Sequence, residues 1–334
     1  MRAILCKDYG PPESLVLEDI ESPTAGENDV VIKVHNAAVN YPDILVIQNL
    51  YQIKPPLPFS PGGEVSGEVI ASGDKVDTLK IGDRVMAVIG TGGFREEIAV
   101  PASLCMPIPD SLDFKLAAAM GLTYGTSYHA LKDRARIQSG ETLFIMGASG
   151  GVGLAAVELG KSMGARVIAA ASSEDKLQVC RDHGADATLL YKTGGLSPDE
   201  QKAFSEEVKN LTDGKGVDVV YDAIGGDYAE PAVRAMAWGG RYLVVGFVAG
   251  YIPNIPLNLT LLKGTSLVGV FWGRFNAEQP KDARQNIIDL LRLLQEGNIK
   301  PHISGVYSLE DAAKALRQMA ERKVMGKLVI DLGR

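Results

Sequence analysis

The stretch Glu141–Ala171, "ETLFIMGASGGVGLAAVELGKSMGARVIAAA", constrains what this chain can fold into more than any other. A short apolar run, Thr142–Met146, stops at a glycine-rich turn, "GASGGVG". A segment with helical spacing (Leu154–Met163) and a second apolar run (Ala165–Ala171) follow. Apolar strands without polar alternation, joined by a helix, need cover on both faces, which implies a parallel sheet between helical layers. In such a unit Gly150 lets backbone approach a pyrophosphate and Gly153 lets the helix pack closely on the sheet. The helix N-terminus adds free N–H groups and partial positive charge. Ser149, Gly150, Gly151, Val152 and Gly153 are therefore expected to hold a dinucleotide, against the plainer reading of a strand-to-helix connection.

The end of the second run indicates which dinucleotide. An acid about 20 residues beyond the glycine turn usually takes the adenosine ribose. Here the run ends in Ser172 and Ser173, with Lys176 following. Hydroxyls and a cation suit a 2′-phosphate that a carboxylate would repel, which favours NADPH over NADH. Glu174 and Asp175 leave a ribose contact open, although acids in a first helical turn are also favoured by the dipole. Ser172 equally suits an N-cap, and Lys176 a solvated charge.

"VDVVYDAI" (Val217–Ile224) and "GRYLVVGF" (Gly240–Phe247) continue the alternation, and "TSLVGVFWG" (Thr265–Gly273) reads as a further strand. The chain before about Gly121 differs. Asp29–Val39, Gly63–Gly73 and Asp83–Ile89 read as short strands punctuated by turns, as in a β-barrel or sandwich. Towards the C-terminus "NIIDLLRLLQEGNI" reads as a helix, Ser308 and Asp311 resemble a capping box opening another, and "KLVIDL" closes as a strand.

A net charge of −7 argues against a nucleic-acid binder, which needs clustered Lys and Arg. No apolar run reaches the ~18 residues of a membrane span, and Met1–Tyr9 is too short and polar for a signal peptide. Cys6, Cys105 and Cys180, odd in number and far apart, fit reduced thiols in a cytoplasmic protein.

Several ordered motifs, "VNYPDIL", "YQIKPPLPFSPGGEVSG", "GDRV", "GLTYGTSYHAL", "GASGGVG", "GVDVVYDAIGG", "GRYLVVGF" and "GKLVIDL", carry a resemblance along the whole chain. It resembles the zinc-free quinone oxidoreductase branch of the medium-chain dehydrogenase/reductase superfamily. The resemblance implies an α/β protein with a GroES-like β-barrel domain over 1–123 and 267–334 and a Rossmann NADPH-binding domain over 124–266. It implies hydride transfer from NADPH to quinones or other electron-poor α,β-unsaturated carbonyls. Zinc alcohol dehydrogenases place a Cys near the position of Asn40 and a Gly-His-Glu where this chain has Gly62-Gly63-Glu64. Structural zinc would need four close cysteines, and His35, His129, His183 and His302 lack ligand spacing, so no metal is expected.

Residue by residue, Asn40 matches the active-site Asn and Tyr51 a Tyr of the substrate cleft, both neutral hydrogen-bond donors. A turn Asn and a packed loop Tyr are the alternatives. Thr126 matches a residue near the nicotinamide, or is a helix N-cap. Gly246, Phe247 and Val248 match the loop holding the carboxamide, with Phe271 and Trp272 on the strand beside it unless they are core. Lys176, Tyr191 and Arg322 match contacts to the 2′-phosphate. Relatives often carry a Tyr where this chain has Leu45, which makes the pocket more apolar there. A homodimer or homotetramer is expected, because "TSLVGVFWG" would otherwise leave an exposed sheet edge. Rival readings are an enoyl or acrylyl thioester reductase and a non-enzymatic crystallin-like or RNA-binding protein.

Overall fold

The structure, a computed structural model, describes residues 1–333. The chain forms two compact units, one from Met1–Leu122 with the segment from Pro301 onward, the other from Thr123–Lys300. The first crossing lies beside the expected one, whereas the second comes at Lys300 and not at residue 266. The reason is packing. Helices Trp272–Glu278 and Pro280–Gln295 belong to the second unit, where Phe275 stacks on His129 at 4.0 Å and Asn286 accepts from Lys132 at 2.7 Å.

The first unit begins with β1 (Arg2–Leu5) and β2 (Val16–Asp19), an antiparallel pair. It continues through β3 (Asp29–Val39), β4 (Glu64–Ser72), β5 (Arg84–Val88), β6 (Glu97–Pro101) and β7 (Cys105–Pro107). The second unit holds β8 (Thr142–Met146), β9 (Arg166–Ala171), β10 (Ala187–Leu190), β11 (Val217–Asp222), β12 (Met236–Val244) and β13 (Ser266–Gly269). The chain then returns to the first unit with β14 (Ile303–Ser308) and β15 (Lys327–Asp331).

In the first unit the sheet order is β14-β15-β3-β4-β5-β7, with β6 also on β3. The length of β3 makes this possible. Its first half, Asp29–Lys33, pairs with β6, its second, Asn36–Val39, with β15, and a register shift at Val34/Asn36 separates them opposite β4. Ile32, Val34, Val65, Val85, Phe94, Leu328 and Ile330 fill the core beneath. The last helix begins at Ala312, with Asp311 at the N-cap making no side-chain capping bond. Ser308 is the last residue of β14, so the capping box expected there is not formed.

The second unit has one six-stranded parallel sheet, ordered β10-β9-β8-β11-β12-β13. Leu143, Phe144, Ile145 and Met146 of β8 are all buried, which is why its sequence shows no polar alternation. The connectivity reverses between β8 and β11, and such a switch point opens a crevice at the carboxyl ends of the strands. As expected, β13 is an edge strand. It is shorter than expected, however. The strand ends at Gly269 and Trp272 opens a helix, so Phe271 and Trp272 are not on it. Trp272 is buried against Gly125, where an added Cβ would meet the indole at 2.6 Å, and Phe271 is exposed. Among the described residues no helix is long and apolar enough to cross a membrane.

Candidate functional site

Four of the expected cofactor segments follow the carboxyl ends of parallel strands in the second unit. The glycine turn follows β8, Ser172 and Ser173 follow β9, Tyr191 follows β10, and Gly246–Val248 follow β12. The helix after the glycine turn starts at Gly151, three residues earlier than its apolar pattern suggests, so Gly151, Val152 and Gly153 form its first turn. A Cβ on Gly153 would stand 2.2 Å from the carbonyl oxygen of Gly147, so only glycine fits there. Gly150 is different: an added Cβ would meet only that oxygen, at 3.5 Å. One side of the turn is locked to the backbone beneath it, and the other is open. Ser149 is buried, and Val152 O accepts from Ser127 Oγ at 2.7 Å, which also meets the Tyr221 hydroxyl at 2.8 Å.

At the end of β9, Ser173 caps the following helix, its Oγ accepting from Lys176 N at 3.4 Å. The Lys176 ammonium donates to Ser172 Oγ at 3.2 Å. Glu174 is engaged with Arg181 of its own helix, which supports the dipole reading of that acid. Tyr191 N bonds Ala171 O at 3.0 Å, setting its ring beside this strand end and tilted against Tyr228. The structure thus gathers Ser172, Ser173, Lys176 and Tyr191. Arg322 belongs to the first unit, with a left-handed backbone (φ 58°).

Thr126 lies within the helix Phe114–Tyr128, not at an N-cap. The loop after β12 is knitted to β11 by Asp222, a residue that sequence reasoning missed. The Asp222 carbonyl accepts from Val245 N (2.9 Å) and Gly246 N (3.2 Å), and Val248 N donates to Ala223 O at 3.2 Å. The buried Asp222 carboxylate accepts from Ile224 N (2.7 Å), Gly225 N (2.9 Å) and the Tyr242 hydroxyl. Burial raises its pKa in spite of those three donors. Gly225, at φ 68°, takes a conformation open to glycine. Phe247 is exposed on this loop. A carboxylate ending an apolar strand, as in "VDVVYD", was the available signal.

In the first unit Asn40 lies in a closed ring of buried polar groups. Its Nδ2 donates to Glu64 Oε1 at 2.9 Å, and Lys327 Nζ donates to Asn40 Oδ1 at 2.6 Å and to Glu64 Oε1 at 2.8 Å. The other Glu64 oxygen accepts from Leu122 N at 2.8 Å. Asn40, Glu64 and Lys327 are each at most 3% exposed. The second buried carboxylate, Asp43, accepts from Asn40 N at 2.8 Å and Gly62 N at 3.3 Å. Burial pushes the Asp43 carboxyl up to about 7, against those N–H donors and the Lys327 charge. Tyr51 packs its half-buried ring on the same core, and burial, then the Asp43 charge, raises its pKa, so it stays a donor. Glu64, Asp43 and Lys327 were not identified from sequence as parts of a site. The signal was polar residues at the margins of apolar strands, in "GGEVSG" and "GKLVI".

Residues 151–292 match the zinc-binding dehydrogenase family, and residues 26–110 the alcohol dehydrogenase GroES-like domain. The chain is 39% identical to the quinone oxidoreductase-like protein 2 homolog of Nematostella vectensis, over 99% of this chain and 88% of that protein. It is 33% identical to the quinone oxidoreductase of Rattus norvegicus, over 99% and 97% of the two chains. A solved structure of a mycobacterial protein complexed with NADPH aligns with a TM-score of 0.91 at 28% identity, covering 99% of this chain and 100% of that one.

Proposed function

Since this chain belongs to the quinone oxidoreductase family of the medium-chain dehydrogenases/reductases, we propose that it reduces quinones or other electron-poor α,β-unsaturated carbonyls with NADPH and without a metal. The observation that carries the cofactor assignment is the Ser172–Lys176 pair, 3.2 Å apart at the end of β9, where NADH enzymes use an acid. The residues fit the nucleotide. The open side of the turn at Gly150 and the first N–H groups of the helix at Gly151 suit a pyrophosphate, and Ser172, Lys176 and Tyr191 suit the 2′-phosphate. Thr126 and the Gly246–Val248 loop, fixed through Asp222, are proposed to hold the nicotinamide. Bound there, NADPH supplies the hydride. The chain orients the acceptor, and Asn40 and Tyr51 offer neutral hydrogen bonds to the oxygen that gains charge.

Two observations support chemistry without a metal. Asn40 and Gly63 stand where zinc-using relatives carry ligands, and the Lys327 ammonium at 2.6 Å already takes the Asn40 oxygen. We further propose a cytoplasmic homodimer or larger assembly. The β13 edge and the strongly exposed Trp238, Leu257, Leu261 and Leu262 are apolar surface that a second copy would cover. Cys6, Cys105 and Cys180 are buried and form no disulfide, which suits a reducing compartment.

The test is kcat/KM for NADPH and NADH with 9,10-phenanthrenequinone, in wild type and Lys176→Ala. Losing one charge-assisted contact costs about 1.5–3 kcal/mol, so the NADPH preference should shrink by roughly 10- to 150-fold. Equal use of both nucleotides by the wild type refutes the cofactor assignment.

A further inference from the structure

The proposed function gives Asn40 a hydrogen bond to make, but an amide can turn over. Its oxygen and its NH2 group are nearly isosteric, and only the partners decide which faces which way. At Asn40 both ends meet full charges: an ammonium on Oδ1 at 2.6 Å and a carboxylate on Nδ2 at 2.9 Å. The two charges also meet each other at 2.8 Å, closing the ring. Turned over, the amide would point its N–H groups at an ammonium and its oxygen at a carboxylate. One orientation is allowed.

We infer that Lys327, held by Glu64, is a positioning residue for the reduction: it fixes the Asn40 amide so that one N–H remains directed away from Glu64 as the donor. That hydrogen is nearly unused: among the described residues its one acceptor is the Ala38 carbonyl at 3.4 Å. The cation on the amide oxygen also strengthens this donor, because charge drawn towards Oδ1 leaves the nitrogen more positive. Stability alone does not explain the pair. A buried ion pair commonly adds no more than well-packed apolar residues of the same volume, while removing one partner is costly. Lys327 also enters from β15, near the far end of the sequence, so it owes its place at Asn40 to the pairing of β15 with the end of β3.

The inference rests on the proposed function, and the experiment separates the two. Lys327→Met, Lys327→Arg, Lys327→Ala with added methylamine, Asn40→Ala and the charge-neutral Glu64→Gln/Lys327→Met variant are compared with wild type. NADPH affinity is read by fluorescence titration and fold by thermal melting. Reduction of 9,10-phenanthrenequinone should fall tenfold or more in kcat/KM in Lys327→Met and in the folded double variant, with NADPH affinity within twofold. Arginine or methylamine should restore part of the loss, and Asn40→Ala combined with Lys327→Met should be no worse than Asn40→Ala. A folded Glu64→Gln/Lys327→Met enzyme with wild-type kcat/KM overturns the inference. If wild type binds NADPH and leaves the quinone unreduced, the proposed function falls instead. The inference is then decided by the Asn40 side-chain amide signals in NMR, which should move and exchange faster in Lys327→Met; unmoved signals overturn it.

Discussion

Two glycines three residues apart make opposite predictions. Alanine at 153 would place a Cβ 2.2 Å from Gly147 O and 2.8–2.9 Å from Ala148 backbone atoms, where ordinary contact begins at 3.4 Å. Relief requires a backbone shift of roughly 1 Å between turn and helix, beyond the side-chain overpacking that costs about 1–3 kcal/mol. Alanine's better helix propensity offsets at most about 1 kcal/mol. A net loss of at least about 2 kcal/mol follows, a fall in Tm of roughly 4–8 °C at 2–4 °C per kcal/mol. Because the clash pries the turn off the helix start, NADPH affinity should fall as well. Alanine at 150 meets one atom at 3.5 Å, with φ −75° and ψ 172° that any residue adopts. Its fold should be intact, yet its methyl would sit where the pyrophosphate must approach, raising the Kd for NADPH at least tenfold. Differential scanning fluorimetry and NADPH fluorescence titration measure both quantities. Gly150→Ala with wild-type affinity would refute the cradle, and Gly153→Ala with wild-type Tm would refute the close packing.

Three further outcomes are expected. Dialysis against a strong chelator should leave quinone reduction intact with well under one zinc per chain; stoichiometric zinc and chelator-sensitive turnover would count against metal-free chemistry. Leu261→Glu with Trp238→Glu should lower the mass seen by light scattering at micromolar concentration, whereas a wild-type monomer would remove the dimer proposal. The native Asp43 carboxyl, raised to about 7 from 3.8, keeps a proton the unfolded chain has released, so its contribution to stability falls as pH rises through this window and is flat above it. Asp43→Asn should remove up to roughly 4 kcal/mol of that fall. Urea midpoints at pH 5 and 8 measure it, and an unchanged difference between the two would refute the assignment.

How far the sequence was legible follows from how local each determinant is. Strand β8, the glycine turn and the helix after it are set by neighbours in the chain, and Asp29–Val39 and Thr142–Met146 are strands over those same bounds. The gathering of Ser172, Ser173, Lys176 and Tyr191 at the end of β9 was legible for the same reason, since the first three lie within one turn and Tyr191 one strand on. The errors fall where tertiary packing decides. "TSLVGVFWG" has strand composition throughout, but the neighbouring strand β12 pairs with it only to Gly269, and burial of Trp272 against Gly125 ends the run. The boundary at 266 failed because no change of composition marks helices that pack back on the second unit.

The polar cluster around Asn40 was the least legible part, and the reason is general. Each of Asn40, Asp43, Glu64 and Lys327 has a bland local reading: a turn amide, a helix-start acid, and charges at strand ends. Their meaning comes from register. Pairing β15 to β3 at Leu328↔Val39 sets Lys327 beside Asn40, and pairing β3 to β4 at Ala38↔Glu64 brings in the carboxylate. A slip of one residue in either strand would send its charge to the opposite face of the sheet. With the register fixed, the charges must find one another, because an unpaired ion at 1–3% exposure would cost several kcal/mol. The ring therefore acts back on the fold: by penalising every other register, it helps select the pairing that assembles it.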